Sequence, residues 1–448
     1  MEFQGKKVLV VGMAKSGISA AHLLLKLGAE VLLYDRKTAE HFQLDSLFDK
    51  GARDFLGKDP MEAVKEAEIL IMSPGVPIKQ EFIEKAKEAG KPVLSEIELG
   101  YLTAKAEFVC ISGTNGKTTT TALTGEIFKN GGRNTYVLGN IGVPICDASM
   151  ETKPGDIIVA EVAALQLETI REFQPRAAAL LNVTEDHMDR FGTMEYYTAC
   201  KMREFENQTE GDFAVLNWDN EITRAQAANI HSRLLWFSRT AEPGEGAFLR
   251  DGRIVFTMDG KTEEICPAAD VKIPGAHNLE NALAAVCLAK AMGISGEAIA
   301  KTLRTFPGVE HRIEFVREVN GVRYINDSKG TNPDATIKAI EAMTAPTVLI
   351  LGGYDKHSEF DEMFAAFTPQ ITDVVLLGAT RDKLEAAAKK AGFGHVILAE
   401  DFADAVKKAS AAAKCGGNVL LSPACASWDM FDNFEQRGDV FKKLVAEL

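Results

Sequence analysis

The stretch EFVCISGTNGKTTTTALTGEIFKN, residues 107–130, decides the fold. FVCI has the length and apolar content of a buried strand, and ALTGEIFKN reads as a helix. The segment between them, Ser112 to Thr121, joins strand to helix through two glycines, which is the order of a phosphate loop. Gly113 and Gly116 let the amides of Thr114 and Asn115 crowd around an anion. Lys117 supplies a point charge for β and γ phosphates, the Thr118 hydroxyl can ligate magnesium, and Thr119 continues the anion-facing helix start. The usual G-x-x-x-x-G-K-[ST] spacing fails only at its first glycine, where Ile111 stands. ATP is the expected phosphate donor. A ligand-free helix start would leave four successive threonines and a lysine beside two glycines without a purpose.

Downstream, IIVAEV (157–162) reads as a strand with Glu161 near its carboxyl edge, where parallel sheets bind ligands. A carboxylate there is costly to bury unless paired or metal-bound, so magnesium is expected at Glu161. The strand AAALLNV (177–183) opens into Thr184-Glu185-Asp186-His187-Met188-Asp189-Arg190. Alone, His187 is equally a surface or capping histidine or a cation ligand, and its acidic neighbours favour metal. Lys201 lies on a helical stretch where a lone lysine ordinarily faces solvent. Asn278 and Asn281 stand one helical turn apart in GAHNLENALAAV (275–286) and can share a ligand-facing surface, with helix capping the other reading of Asn278.

Upstream, KKVLVVG (6–12), a helical run and EVLLYD (30–35) make a β-α-β opening. Asp35 ends the second strand, where it can accept from a ribose or serve as a turn residue. The pattern G-x-x-x-S-G departs from G-x-G-x-x-G, so nicotinamide, and with it a dehydrogenase, is not expected. A further strand leads into Ser73-Pro74-Gly75-Val76-Pro77, and this parallel unit ends near residue 95. Beyond Pro307-Gly308, two strands joined by Asn320-Gly321 precede Asp327-Ser328-Lys329 and a helix start at Thr331-Asn332-Pro333. Arg312 can meet a phosphate or carboxylate bidentately. Strands in 345–356, 373–379 and 418–421 make this third segment α/β as well.

At roughly 150 residues per domain, a chain of 448 residues predicts about three domains. The expected boundaries are 1–95, 96–303 and 304–448. The expected fold is α/β throughout: an N-terminal Rossmann-like domain, a central P-loop ATPase-like domain and a C-terminal Rossmann-like domain. With 46% hydrophobic and 25% charged residues the chain is globular rather than disordered. The net charge of −14 argues against nucleic acid as the main partner. Seven dispersed cysteines without a CxxC pair support neither a disulfide framework nor a structural zinc. The opening residues run straight into a strand and turn, so neither signal peptide nor membrane insertion is expected, and the cytoplasm is the expected location.

Taken in order, ISGTNGKTTT, VAEV, NVTEDHMDRFG, GAHNLENALAA, GVEHRIEFV, NDSKGTNP, LGG and SPACASWDMFDNFEQRG resemble the Mur ligase family over almost the whole chain. The resemblance implies an ATP-dependent amide ligase of peptidoglycan precursor synthesis, working as a monomer. By its short first domain and its last motif, the closest branch adds D-glutamate to UDP-N-acetylmuramoyl-L-alanine through an acyl phosphate. By resemblance, Lys117 contacts the transferring phosphate, Thr118 and Glu161 hold the nucleotide magnesium, and His187 holds a second. Lys201 matches the family's carbamylated lysine. Asn140 matches a muramoyl contact, and Ser16, Asp35, Arg36, Ser73 and Gly75 match contacts to the UDP group. Asn278, Arg312 and Asp327 match adenine, phosphate and ribose contacts of ATP. Lys329, Thr331, Lys356, Ser427 and Phe434 would surround D-glutamate or the acyl phosphate.

One departure stands out. Family members commonly carry two serines after the glutamate, where this chain has Ala163 and Ala164. Losing a hydrogen bond in a desolvated complex costs about 1–3 kcal/mol, so adjusted muramoyl contacts are expected alongside intact nucleotide binding. The same departure makes a catalytically impaired nucleotide or UDP-sugar binder of the same fold the alternative reading.

Overall fold

The computed structural model describes residues 1–140 and 142–448. Contacts divide the chain into two compact units, one of Met1–Asp270 with Asn281–Arg304 and one of Val271–Glu280 with Thr305–Leu448.

The first unit holds two sheets. A five-stranded parallel sheet runs in the order Arg53–Asp54, Glu30–Tyr34, Lys7–Val11, Ile69–Met72, Val93–Ser95. Helices cover both faces of such sheets, so strand residues read as unbroken apolar runs, and Val8, Leu9 and Val10 are fully buried. The strand order reverses at Lys7–Val11, which opens a crevice at its carboxyl end.

The second sheet has nine strands. Glu107–Ser112 lies between Ala177–Leu180 and Ile157–Glu161, with Ile111 in register with Glu161 and Ser112 with Leu180. That register sets Glu161 beside the mouth of the phosphate loop. Farther along, Gly246–Arg250, Arg253–Met258 and Lys261–Pro267 form an antiparallel extension. Its outermost strand begins with four exposed residues, Lys261, Thr262, Glu263 and Glu264. The helix Glu96–Thr103 joins the two sheets. It is capped by Ser95 and fastened by the Glu98 carboxylate, which accepts the backbone N–H groups of Arg171, Glu172 and Phe173 at 2.8, 2.7 and 3.1 Å.

The second unit carries six strands in the order Glu314–Val319, Val322–Asn326, Asn418–Leu421, Thr347–Gly352, Ile371–Leu377, Val396–Leu398. The first two form the expected hairpin. Asn320 and Gly321 both take positive φ (53° and 74°), as an Asn-Gly turn with the right twist requires. Asn332 caps the helix Pro333–Glu341, accepting the Ala335 N–H at 2.8 Å, with Pro333 in its first turn. No helix among the described residues is long and apolar enough to cross a membrane.

Candidate functional site

The phosphate loop is held from one side by the chain leaving Ala177–Leu180. The Asn182 amide grips the Asn115 peptide twice, accepting its N–H at 2.9 Å and donating to its carbonyl at 3.1 Å. Thr114 donates its N–H to the Asn182 carbonyl at 3.0 Å, and its hydroxyl donates to the Thr184 carbonyl and accepts the Thr184 N–H, both at 3.1 Å. Gly116 is left-handed (φ 86°) at the start of the helix Lys117–Asn130, and a Cβ there would run into the Asn281 amide. Lys117 folds back over the loop, its Nζ 2.8 Å from the carbonyls of both Gly113 and Thr114. Asn182 was not among the expected site residues. Its signal was the one that exposed Glu161, a polar residue closing an apolar strand.

Glu161 is buried, and its two carboxylate oxygens reach different elements. Thr118 Oγ1 donates to Oε2 at 2.8 Å, and Asn140 Nδ2 donates to Oε1 at 3.1 Å. Hydroxyl and carboxylate oxygens so placed are the hard donors a divalent cation prefers. Just past Glu161, Ala163 occupies the N-cap of the turn Ala164–Leu167 with cap-like torsions (φ −92°, ψ 152°). Gln166 Oε1 accepts the Ala163 N–H at 2.9 Å, which is half of a capping box. Alanine has no oxygen to return. Ala163→Ser is therefore expected to raise unfolding stability by about 0.5–2 kcal/mol in urea denaturation. No gain would mean the half-box already satisfies this turn.

Lys201 does not face solvent, as a lone helical lysine ordinarily does. It is 1% exposed, its Nζ donates to the Gly113 carbonyl at 2.8 Å, and it lies 4.6 Å from the Tyr197 ring centroid. Burial, reinforced by nearby Lys117, pushes its pKa well below the ordinary lysine value. Glu204, one turn on, is also fully buried. Neither of its oxygens has a hydrogen-bond partner among the described residues, and burial pushes its pKa well up. His187 sits at the N-cap of the short helix Met188–Phe191 in a left-handed conformation (φ 55°). Its ring is 44% exposed, with Nε2 3.8 Å from Asp186 Oδ2. It occupies the N-cap position without a side-chain cap bond, and its ring stands partly exposed beside Asp186.

Ser16, Asp35, Arg36, Ser73, Gly75 and Asn140 all line one cavity of about 530 Å³ at the reversal point of the five-stranded sheet. Gly17, in the first turn of the helix Lys15–Lys26, packs so closely that a Cβ would collide with the Gly12 carbonyl. Asp35 is a turn residue here, accepting the N–H groups of Met13 and Lys37 at 2.9 and 3.0 Å. The Ser73 hydroxyl likewise closes the wall by donating to the Gly12 carbonyl at 2.8 Å. Through Asn140, the cavity is one hydrogen bond from Glu161 and two from Thr118.

In the second unit the candidates gather where strands end. Asp327 is fully buried, accepting from Ser422 Oγ at 2.7 Å and from the Ile313 N–H at 3.2 Å, with Arg312 Nη1 4.0 Å away. Burial pushes its pKa up to about 6 against the pull of Arg312. Lys329 Nζ stands 5.2 Å from the Phe434 ring centroid, and the Thr331 N–H donates to the Lys329 carbonyl at 2.9 Å. Lys356 and Ser427 lie on two loops joined where the Tyr354 N–H meets the Ala426 carbonyl at 2.8 Å. Asn278 Nδ2 donates to the Pro274 carbonyl at 2.6 Å, a local bond at the start of the helix Ala276–Ala291. Arg437 was not anticipated. Only 1% exposed, it donates to Ser328 Oγ and to the Ser328, Cys425 and Ala426 carbonyls, tying the Asp327–Lys329 segment to the loop that carries Ser427.

Three family descriptions match the chain: a Mur ligase MurD-like N-terminal domain over residues 6–95, a Mur ligase middle domain over 111–289 and a Mur ligase glutamate ligase domain over 311–425. The chain is 48% identical over 452 residues to the UDP-N-acetylmuramoylalanine--D-glutamate ligase of Thermoanaerobacter pseudethanolicus, covering 100% of both. To the protein of the same name from Clostridioides difficile it is 45% identical over 454 residues, again with 100% coverage of both. Among solved structures, Thermotoga maritima UDP-N-acetylmuramate-alanine ligase MurC shares the fold at a TM-score of 0.62 and 18% identity, over 99% of each chain. MurF ligase from the same organism, solved with ADP, also reaches 0.62 at 18% identity, over 93% of this chain and 95% of that one.

Proposed function

Because the chain belongs to the Mur ligase family, we propose that it joins D-glutamate to UDP-N-acetylmuramoyl-L-alanine with conversion of ATP to ADP and phosphate, a step of peptidoglycan precursor synthesis. The observation that carries this reading is end-to-end identity near one half with ligases named for that reaction. The geometry supports it through the short path from the cavity, by way of Asn140 and Glu161, to the phosphate loop.

A carboxylate is a poor electrophile. Transfer of the γ-phosphoryl group to the alanyl carboxylate gives a mixed anhydride, which the neutral amine of D-glutamate attacks to form a tetrahedral intermediate that expels phosphate. Lys117 would neutralise charge on the moving phosphoryl group, and the Gly116–Thr119 amides would cradle its neighbours, since the Thr114 and Asn115 N–H groups are taken by Asn182. Thr118 and Glu161 would hold a magnesium ion, and His187 with a carbamylated Lys201 a second. Bound magnesium supplies charge neutralisation at the phosphates. The carbamate is chemically reasonable, since the lysine amine must be neutral to add carbon dioxide and burial favours that form at Lys201. An anion there would also face Lys117 favourably.

The cavity wall, with Ser16, Asp35, Arg36, Ser73 and Gly75, would take the UDP group beside the amino end of the helix Lys15–Lys26. Asn140 would meet the muramoyl end. Asn278, Arg312 and Asp327 would contact ATP, and Lys329, Thr331, Lys356, Ser427 and Phe434 would contact D-glutamate or the acyl phosphate. We also infer a monomeric enzyme of the cytoplasm, where ATP is supplied. The test is product formation with magnesium supplied and mass detection over an amino-acid panel. ADP, phosphate and a D-glutamyl conjugate are expected only when the muramoyl nucleotide and D-glutamate are both present. ATP turnover independent of either would overturn the assignment.

A further inference from the structure

Arg190 lies three residues beyond His187 on the helix Met188–Phe191, yet its guanidinium reaches the wall of the cavity. Nη2 donates to the Val76 carbonyl at 3.1 Å and to Glu168 Oε2 at 2.6 Å, and the side chain is only 14% exposed. A buried guanidinium needs both a counter-charge and acceptors for its donors. Glu168 supplies the charge. Its own side chain is 2% exposed, and its other oxygen accepts the Tyr196 hydroxyl at 3.2 Å. Arg203 fixes the backbone beneath it, donating to the Leu167, Glu168 and Ile170 carbonyls.

Val76 belongs to Ser73-Pro74-Gly75-Val76-Pro77, and all five residues line the cavity. The segment is pinned at its first residue by the bond from Ser73 to Gly12, while a Cβ on Gly75 would meet nothing within 4 Å. Its fourth residue, Val76, is held by an arginine 114 positions away in sequence. We propose that Arg190 is a positioning residue for the UDP-linked substrate, holding the 73–77 wall in the shape the nucleotide meets. Affinity then rests on a wall ordered before binding, which lowers the entropy lost when the ligand arrives. Arg190 itself touches neither nucleotide nor reacting atoms. This inference rests on the cavity being the UDP site.

The test compares the full chain with Arg190→Ala and Arg190→Lys by steady-state kinetics and by calorimetric titration with UDP. Arg190→Ala is expected to raise KM for the muramoyl nucleotide and weaken UDP binding by about tenfold, the scale of one charge-assisted hydrogen bond. kcat and the KM for ATP should stay within about twofold, because the phosphate loop has its own brace at Asn182. Arg190→Lys retains a cation with several donors and should recover most of the loss. If Arg190→Ala does not fold, Glu168→Gln keeps an acceptor for Tyr196 while removing the counter-charge, and it should weaken UDP binding in the same direction. UDP affinity unchanged in the foldable variant would overturn the proposal, as would parallel loss of kcat and ATP affinity. If the parent chain itself fails to bind UDP, the cavity assignment falls and this inference with it; if the parent binds and the variant binds equally, only the role of Arg190 falls.

Discussion

Lys201→Ala is expected to lower turnover by about 100-fold or more, with part of the activity returning when formate or acetate is added. The physical ground is the position of the amine. It is enclosed at the foot of the phosphate loop, bonded to the Gly113 carbonyl and close to Lys117, where a second positive charge is unwelcome. Carbon dioxide added to the neutral amine replaces a cation by an anion in a place that already holds one cation and would receive divalent ones. A small carboxylate can enter the space left by the truncated side chain and restore that anion. The melting temperature separates this role from folding, because removing a desolvated amine relieves a burial cost as well as leaving a void. Loss of turnover with a melting temperature near that of the parent fits the carbamate. Unchanged turnover, or loss that no carboxylate rescues, rejects it.

Glu161→Gln should be as damaging, on the order of 10²–10³-fold in turnover, for a different reason. The amide is almost isosteric, and both neighbours can adapt. Its oxygen can accept from Asn140 Nδ2 and its NH₂ can donate to Thr118 Oγ1, so the local structure persists. The negative charge does not. A buried amide cannot replace a carboxylate as a magnesium ligand of comparable strength, and raising magnesium should recover little. Turnover measured across a magnesium series is the check. Values within tenfold of the parent, with the same magnesium dependence, would show that Glu161 only braces Thr118 and Asn140.

Much of this site could be read from local pattern. The phosphate loop announces itself by strand, glycines, lysine and helix. The five residues expected at the UDP group come from three separate stretches, and they line one cavity because a parallel sheet delivers its strand ends to one edge. What escaped reading were charges buried for reasons supplied by distant chain. Arg190 and Arg437 sit in helices whose sequence pattern assigns charged residues to solvent, and nothing within a few residues reveals the carbonyls or counter-charges that enclose them. Lys201 carries the same disguise, so family resemblance rather than periodicity singled it out. Very short strands such as Arg53–Asp54 and Val396–Leu398 also lack the length for a period to register. Asn278 shows the converse, since its place at a helix start was legible while its bond to the Pro274 carbonyl was not.

The nine-stranded sheet has two outermost strands, and Lys261–Pro267 is one of them. An outermost strand offers unpaired backbone groups to any other strand that drifts near, including its own copy in a neighbouring molecule. Here such an approach would press against Lys261, Glu263 and Glu264. Two of these are already engaged from within, Glu263 with Lys290 and Glu264 with Arg253, each at 2.5 Å. A visiting strand would have to strip water from these charges or break the pairs to gain its ladder. At this edge the sheet therefore carries its own stop against growth into fibrils or sheet-extended aggregates, written in Lys261, Glu263 and Glu264.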